Sequence, residues 1–265
     1  MNRNKLRIGI IAYANLFPIF YMLQKKCDCS GYEFIEGVPS DLNKKIRNGE
    51  VDISPSSSIE YLKNSERYDL IEDHSISSKG PVKSIFLFSK KPIETLNGVT
   101  VLTSSQSETS VALLRIIFKK FYQIDCSLES SSEPVGQAIG SYPAYMLIGD
   151  QAMLEAMKRE QPYQYDLGEL WYKNTGLPMT FALWIVRKEC CTQGGLLEKF
   201  KRDLDYSKEA ALKNLALVAA ASPLRHLLSE KELVSYWEGI SYDFGDEHKE
   251  GFALFRRYAE ELGII

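Results

Sequence analysis

The sequence predicts a two-lobed α/β protein, and three observations carry that expectation. Strand-like and helix-like segments alternate along the first part of the chain. At 265 residues the chain is long for one core. A connection from Lys90-Lys91-Pro92 to Asn97-Gly98 opens a second unit, and the apolar run Leu177–Val186 carries the chain back. A unit inserted between the halves of another predicts a ligand cleft at the crossing. The expected lobes are 1–94 with 188–265, and 95–187.

Taken in order, Leu6–Tyr13 reads as a strand and Pro18–Gln24 as the start of a helix. Tyr32–Ile35 is a short strand. Pro39–Asn48 is an amphipathic helix with Leu42 and Ile46 on one face and Gly49 closing it. Asp52–Ser54 is a strand ending at Pro55-Ser56-Ser57-Ser58, and Ser58–Leu62 turns back into helix. Ser84–Ser89 is a strand. The second unit begins with Val99–Thr103 and continues with strands near Cys126–Ser130 and at Ala144–Ile148. From Leu196 onward the pattern is helical: Leu196–Ser207, Lys208–Ala221, a Ser-Pro break, Glu230–Gly239 and Glu247–Leu262.

Residues 104–118 are the most informative stretch. The strand Val99–Thr103 runs into Ser104, Ser105, Ser107, Thr109 and Ser110, where a helix with an apolar stripe of Val111, Leu114 and Ile117–Phe118 begins. A helix N-terminus offers free N–H groups and partial positive charge, so hydroxyls there make a seat for a carboxylate. Plain N-capping is the competing reading, because Ser and Thr are preferred caps.

The bulk composition narrows the partners. A formal net charge of −3, with Lys and Arg spread along the chain, gives no reason to expect nucleic acid or an anionic membrane. No segment approaches the ~20 apolar residues of a bilayer span. Arg3, Lys5 and Arg7 before Ile8–Ile11 and Ala12-Tyr13-Ala14 mimic a signal peptide. The apolar run is only about half the usual length of roughly 7–15 residues, so it reads as a core strand and the expected location is the cytoplasm. Cys27, Cys29, Cys126, Cys190 and Cys191 have neither zinc spacing nor a neighbouring His, and read as ordinary thiols. No metal or cofactor is expected, and the oligomeric state is left open.

Strand-end loops of α/β units converge on ligand crevices. Here such loops carry Asn15, Ser56–Ser58, Ser84, Ser107–Ser110 and Gly149-Asp150. His74, His226 and His248 read as surface or capping residues, with His74 in a loop-like stretch, because no triad or metal partners accompany them. Asn15 fits a turn, Ser84 a strand edge, and Asp150 a cap for a helix over Gln151–Met157. The residues alone describe a hydroxyl-lined cleft suited to a small carboxylate, and leave binder and enzyme both open.

Motifs along nearly the whole chain narrow this further. They are Ile8-Gly9-Ile10 with Tyr13-Ala14-Asn15 and Pro18, Gly37–Leu42, Gly49–Pro55, Ser57–Tyr61, Gly80-Pro81-Val82-Lys83-Ser84 and Thr109–Leu114. Leu147–Asp150, Tyr165-Asp166-Leu167-Gly168, Trp171, Thr175–Pro178, Phe181-Ala182 and Trp184 complete the set. In order and spacing they resemble the chorismate dehydratase family of the futalosine route to menaquinone. The resemblance implies a periplasmic-binding-protein type II fold in a cytoplasmic enzyme. The implied reaction removes water from chorismate to give 3-[(1-carboxyvinyl)oxy]benzoate, a carbon–oxygen lyase (hydro-lyase) reaction without a cofactor. By motif position it makes Asn15 and Ser84 the catalytic pair and Ser57, Ser58, Thr109, Ser110 and Gly149 substrate contacts; the hydroxyl cluster adds Ser107. Glu108 departs from the family pattern, which often has Arg or a small residue there, and sets a charge beside the expected anion seat. The alternative is a non-catalytic small-carboxylate binder related to transport receptors.

Overall fold

A computed structural model describes residues 5–131, 141–190 and 195–265. Arg3 and Cys191 lie outside them. The chain divides into two units, Met1–Ile76 with Ala182–Tyr242, and Ser77–Phe181 with Asp243–Ile265. The expected lobes divide the chain differently, at 94/95 and 187/188, and give the C-terminus to the first lobe. In the structure the chain changes unit within the two long strands Tyr68–Ser78 (β4) and Met179–Arg187 (β10), and once more after Tyr242.

The first unit is built on a five-stranded sheet ordered β2-β1-β3-β10-β4. β1 (Leu6–Ile10) pairs in parallel with β2 (Tyr32–Glu36) and with β3 (Ile53–Ser57), while β10 runs antiparallel to β3. The expected strand ending at Ser54 continues through Pro55, which sits opposite Trp184. Helix α1 (Phe17–Lys26) packs against the long helix Leu196–Leu212, and Trp184 lies between Phe20 and Phe200 with ring centroids 5.7 and 5.8 Å away. The helical tail breaks at Lys213-Asn214, where Leu212 ends one helix and Leu215 starts the next, and not at Ser207. His74 is no loop residue. It is buried in β4, with Nε2 2.6 Å from Asp205 Oδ1.

Asp52 ties three strands of this sheet together. Its carboxylate accepts Arg7 Nε–H at 3.0 Å and Arg7 Nη2–H at 2.5 Å, and also the Arg7 backbone N–H at 3.0 Å. Its own N–H donates to Arg7 O, and its C=O accepts the Arg187 N–H.

The second unit carries a sheet ordered β7-β6-β8-β5-β9. β6 (Thr100–Ser104) is parallel to β7 (Ser127–Ser131) and β8 (Ala144–Ile148). β5 (Ile85–Ser89) is antiparallel to β8 and to β9 (Tyr163–Asp166). Trp171, fully buried, gathers Phe121, Phe255 and Tyr258 around it. Two of those rings belong to the last helix, Asp246–Glu261, and this contact places the C-terminus in the second unit. The helix also approaches so closely at Gly251 that a Cβ would lie 2.1 Å from the Pro178 carbonyl oxygen.

Breaking a buried ion pair strands the remaining charge and costs about 3–5 kcal/mol. With Arg7 and Asp52 side chains 12% and 6% exposed, Asp52→Ala is expected to lower stability by about that amount. The midpoint of urea denaturation at unchanged slope measures it.

Candidate functional site

In the first unit, parallel pairing sends the carboxyl ends of β1 and β3 to one edge of the sheet. The loop after β1 carries Asn15, and the end of β3 carries Ser57 and Ser58. The Asn15 segment is held by its carbonyls. Trp237 Nε1–H donates to Ala14 O at 2.7 Å, and the Tyr242 hydroxyl donates to Asn15 O at 2.7 Å. Burial holds the Tyr242 phenol far above its ordinary pKa, so it stays a donor. The Asn15 side-chain oxygen Oδ1, in contrast, is buried with no hydrogen-bond partner. A buried acceptor left unpaired is costly and calls for an explanation; a ligand donor supplies one.

Ser57 caps the short helix α3 (Ser58–Lys63). Its Oγ accepts Glu60 N–H at 3.2 Å and Asn43 Nδ2–H at 3.1 Å. A hydroxyl also has one proton to donate, and both contacts use Ser57 as acceptor. Ser58 is fully buried at the first position of the helix. Ser56 lies inside β3, its Oγ buried and unpaired.

In the second unit, β5 starts where β6 and β8 end, because β5 is antiparallel to β8 and β6 parallel to it. Ser84, Gly149 and the hydroxyl cluster after β6 therefore share one edge of the sheet. Gly149 N–H donates to Ser84 O at 2.7 Å, which makes these two residues neighbours. Gly149 has φ +61°, a left-handed backbone that favours glycine. The Ser84 side chain is buried and donates a long 3.3 Å hydrogen bond to Val82 O in its own turn.

The hydroxyl cluster does the work of a cap. Ser107 Oγ accepts Ser110 N–H at 3.2 Å at the start of α4 (Glu108–Ile116), and the Ser107 and Ser110 hydroxyls are 2.9 Å apart. Thr109 and Ser110 are buried in the first turn, and Glu108 is exposed to solvent. Asp150 is not a cap. The helix after β8 starts at Gly149, one residue before it, and Asp150 lies in the first turn, where an acid favours the helix dipole.

Sequence reasoning assigned no role to Asp166, although it quoted the motif around it. The residue ends β9 and caps α6 (Leu167–Thr175), accepting Glu169 N–H at 3.0 Å. It also accepts the N–H groups of Val82 at 3.0 Å and Lys83 at 2.6 Å, both in the turn that leads to Ser84. Burial pushes the Asp166 carboxyl above its usual pKa, against the pull of these N–H groups. The signal was an Asp followed three residues later by Glu at a helix start; its reach to a turn more than eighty residues away left no local mark.

Among the described residues, no group of three or more His, Cys, Asp or Glu is placed to hold a metal ion. No helix among them is long and apolar enough to cross a membrane. Cys27, Cys29 and Cys126 are free thiols.

Comparison with known proteins adds to this geometry. Residues 6–261 match a family described as menaquinone biosynthesis. The chain is 28% identical to the chorismate dehydratase of Thermus thermophilus, over 97% of this chain and 95% of that protein. A solved structure from Archaeoglobus fulgidus superposes with a TM-score of 0.79 at 18% identity, covering 100% of both chains. The periplasmic aliphatic sulphonate binding protein SsuA of Escherichia coli superposes with a TM-score of 0.65 at 15% identity, covering 99% of this chain and 94% of that one. The fold is thus of the expected periplasmic-binding-protein kind.

Trp237→Phe keeps an aromatic side chain but deletes the donor to Ala14 O and part of a fully buried ring. Ala14 O then keeps only the longer 3.3 Å bond from Phe17 N–H, and the lost bond together with the space left in the core is expected to cost about 1–3 kcal/mol. Thermal and urea unfolding measure the loss.

Proposed function

The chain belongs to the menaquinone biosynthesis family, and from that premise we propose that it is a chorismate dehydratase, a hydro-lyase of the cytoplasm. The observation that supports this most is the end-to-end similarity to a relative of that name. Its substrate is chorismate and its product 3-[(1-carboxyvinyl)oxy]benzoate.

Chemically, the C3–H bond breaks, its electron pair forms the C3–C4 double bond, and the C4–O bond breaks. The departing hydroxide and a proton make the water. The ring becomes aromatic, so the step is strongly downhill, and catalysis reduces to orientation, a proton acceptor and help for the leaving group. The proposed site residues are Asn15, Ser57, Ser58, Ser84, Ser107, Thr109, Ser110 and Gly149, none of which is a base at neutral pH. The enolpyruvyl carboxylate of chorismate itself takes the C3 proton in this reading. Asn15 orients the reacting groups through the side-chain oxygen that has no protein partner. Ser84 holds a substrate carboxylate, exchanging its long contact to Val82 O for a stronger charge-assisted bond. The remaining hydroxyls and the Gly149 segment are substrate contacts.

Purified protein incubated with chorismate, without added metal or cofactor, is expected to yield a product one water lighter by mass. Asn15→Ala is expected to lower kcat by about 10²-fold or more with KM nearly unchanged, the signature of an interaction made in the transition state. Ser84→Ala is expected to lower kcat/KM by a similar factor. Tight chorismate binding without turnover would instead favour the non-catalytic carboxylate binder, a reading in keeping with the likeness to a sulphonate-binding protein.

A further inference from the structure

We propose that Asp166 is a positioning residue that sets the direction of the Ser84 hydroxyl. This inference rests on the reading of Ser84 as a site residue. The turn Gly80–Ser84 precedes β5 and has no regular partner strand of its own, yet Val82 and Ser84 are buried. Its polar backbone groups are therefore satisfied by specific contacts. Asp166 Oδ1 accepts Val82 N–H and Oδ2 accepts Lys83 N–H, one oxygen for each of the two residues before Ser84. Ser84 O is taken by Gly149 N–H, and the Ser84 hydroxyl points to Val82 O. The hydroxyl thus takes its direction from a carbonyl whose own residue is fixed by Asp166.

Two further observations place the carboxylate in control of this turn. Lys83 has φ +58°, a left-handed backbone that a non-glycine residue keeps only when its surroundings impose it. The short Lys83 N–H to Oδ2 bond, 2.6 Å, is such an imposition. Gly168, two residues after Asp166, lies under the same turn. A Cβ there would fall 2.7 Å from Gly80 O, 2.7 Å from Ser78 Oγ and 3.1 Å from Val82 N. The missing side chain lets the helix start approach closely enough for the carboxylate to reach both N–H groups. The strand register supports the same placement, since Asp166 sits opposite Phe86, two residues beyond Ser84.

Asp166 does two things: it caps α6 through Glu169 N–H and clamps the turn, with Oδ1 serving Glu169 and Val82 and Oδ2 serving Lys83. Ser is as good an N-cap as Asp but is one atom shorter, with a single oxygen. Asp166→Ser therefore keeps the cap and releases the clamp, and Asp166→Asn, which replaces one acceptor oxygen with a donor, provides a second variant. The test combines amide hydrogen exchange with turnover of chorismate. Exchange at Val82–Ser84 is expected to accelerate at least tenfold in both variants, with protection of the β6 and β8 strands retained. Turnover is expected to fall about 10–100-fold in kcat, the scale of small misplacements, with KM changed less than threefold. In the Ser84→Ala background the same substitutions are expected to cost almost nothing further, because Asp166 acts through that hydroxyl. Unchanged exchange at 82–84, or equal losses of turnover with and without Ser84, would overturn the proposal. A wild-type protein inactive on chorismate would refute the dehydratase reading instead, while exchange would still decide whether the clamp exists.

Discussion

Every buried backbone N–H and C=O must find a partner, and the edges of a sheet, where the ladder stops, are where partners run out. Two buried carboxylates meet that demand here. Asp52 takes the Arg7 backbone N–H and guanidinium while its own amide and carbonyl bond to Arg7 and Arg187. Asp166 takes backbone N–H groups from a turn, at Val82 and Lys83, and from a helix start, at Gly168 and Glu169. An ionised carboxylate suits this task, because it offers about four acceptor sites and no donor. Where carbonyls need partners, indole and phenol donors supply them, as at Ala14 and Asn15.

The candidate residues inherit their positions from these anchors. Small side chains such as Ser, Thr and Asn reach little distance, so their polar atoms go where the backbone puts them. At Asn15 the backbone is pinned from two carbonyls while the side-chain oxygen is left buried and unmet. Such an arrangement works against folding, as expected of an acceptor kept for a ligand. Ser57 and Ser107 differ from it. Each already has a capping role, so any contact with substrate is added to a structural duty.

Much of the strand and helix order was legible because its signals are local. Ala144–Ile148 reads as a strand from five consecutive buried apolar or aromatic residues, and Pro39 opens a helix at the position where proline lacks no needed bond. What escaped was nonlocal or contrary to local rule. Pro55 argues against a central strand, yet β3 runs through it. β4 hides behind Glu72-Asp73-His74, polar residues with a left-handed Asp73, and His74 is buried by its pairing with Asp205, 131 positions away. The last helix looks like the end of a helical tail until Trp171 is seen to collect its rings. In the site, the hydroxyls were visible as residue types. The difference between a capping Ser107 and an unmet Asn15 was not, because it depends on which atoms are already bonded.

The chemistry and the architecture are consistent on one further point. A site of amides and hydroxyls has no group that titrates near neutrality, so it contributes little by moving protons itself. In the proposed reading it contributes by holding a reactive substrate in one geometry, which suffices for a step that makes an aromatic ring. Geometry of that kind is only as good as the backbone beneath it, since side chains with one rotatable bond cannot correct a displaced turn. The left-handed Lys83 and Gly149 bracket Ser84, one in its own turn and one bonded to its carbonyl. The Lys83 conformation is disfavoured in a free chain, the Gly149 one is open to glycine, and both are held here by defined hydrogen bonds. For such a site, catalytic power resides as much in the carboxylate that fixes the turn as in the hydroxyl that the turn presents.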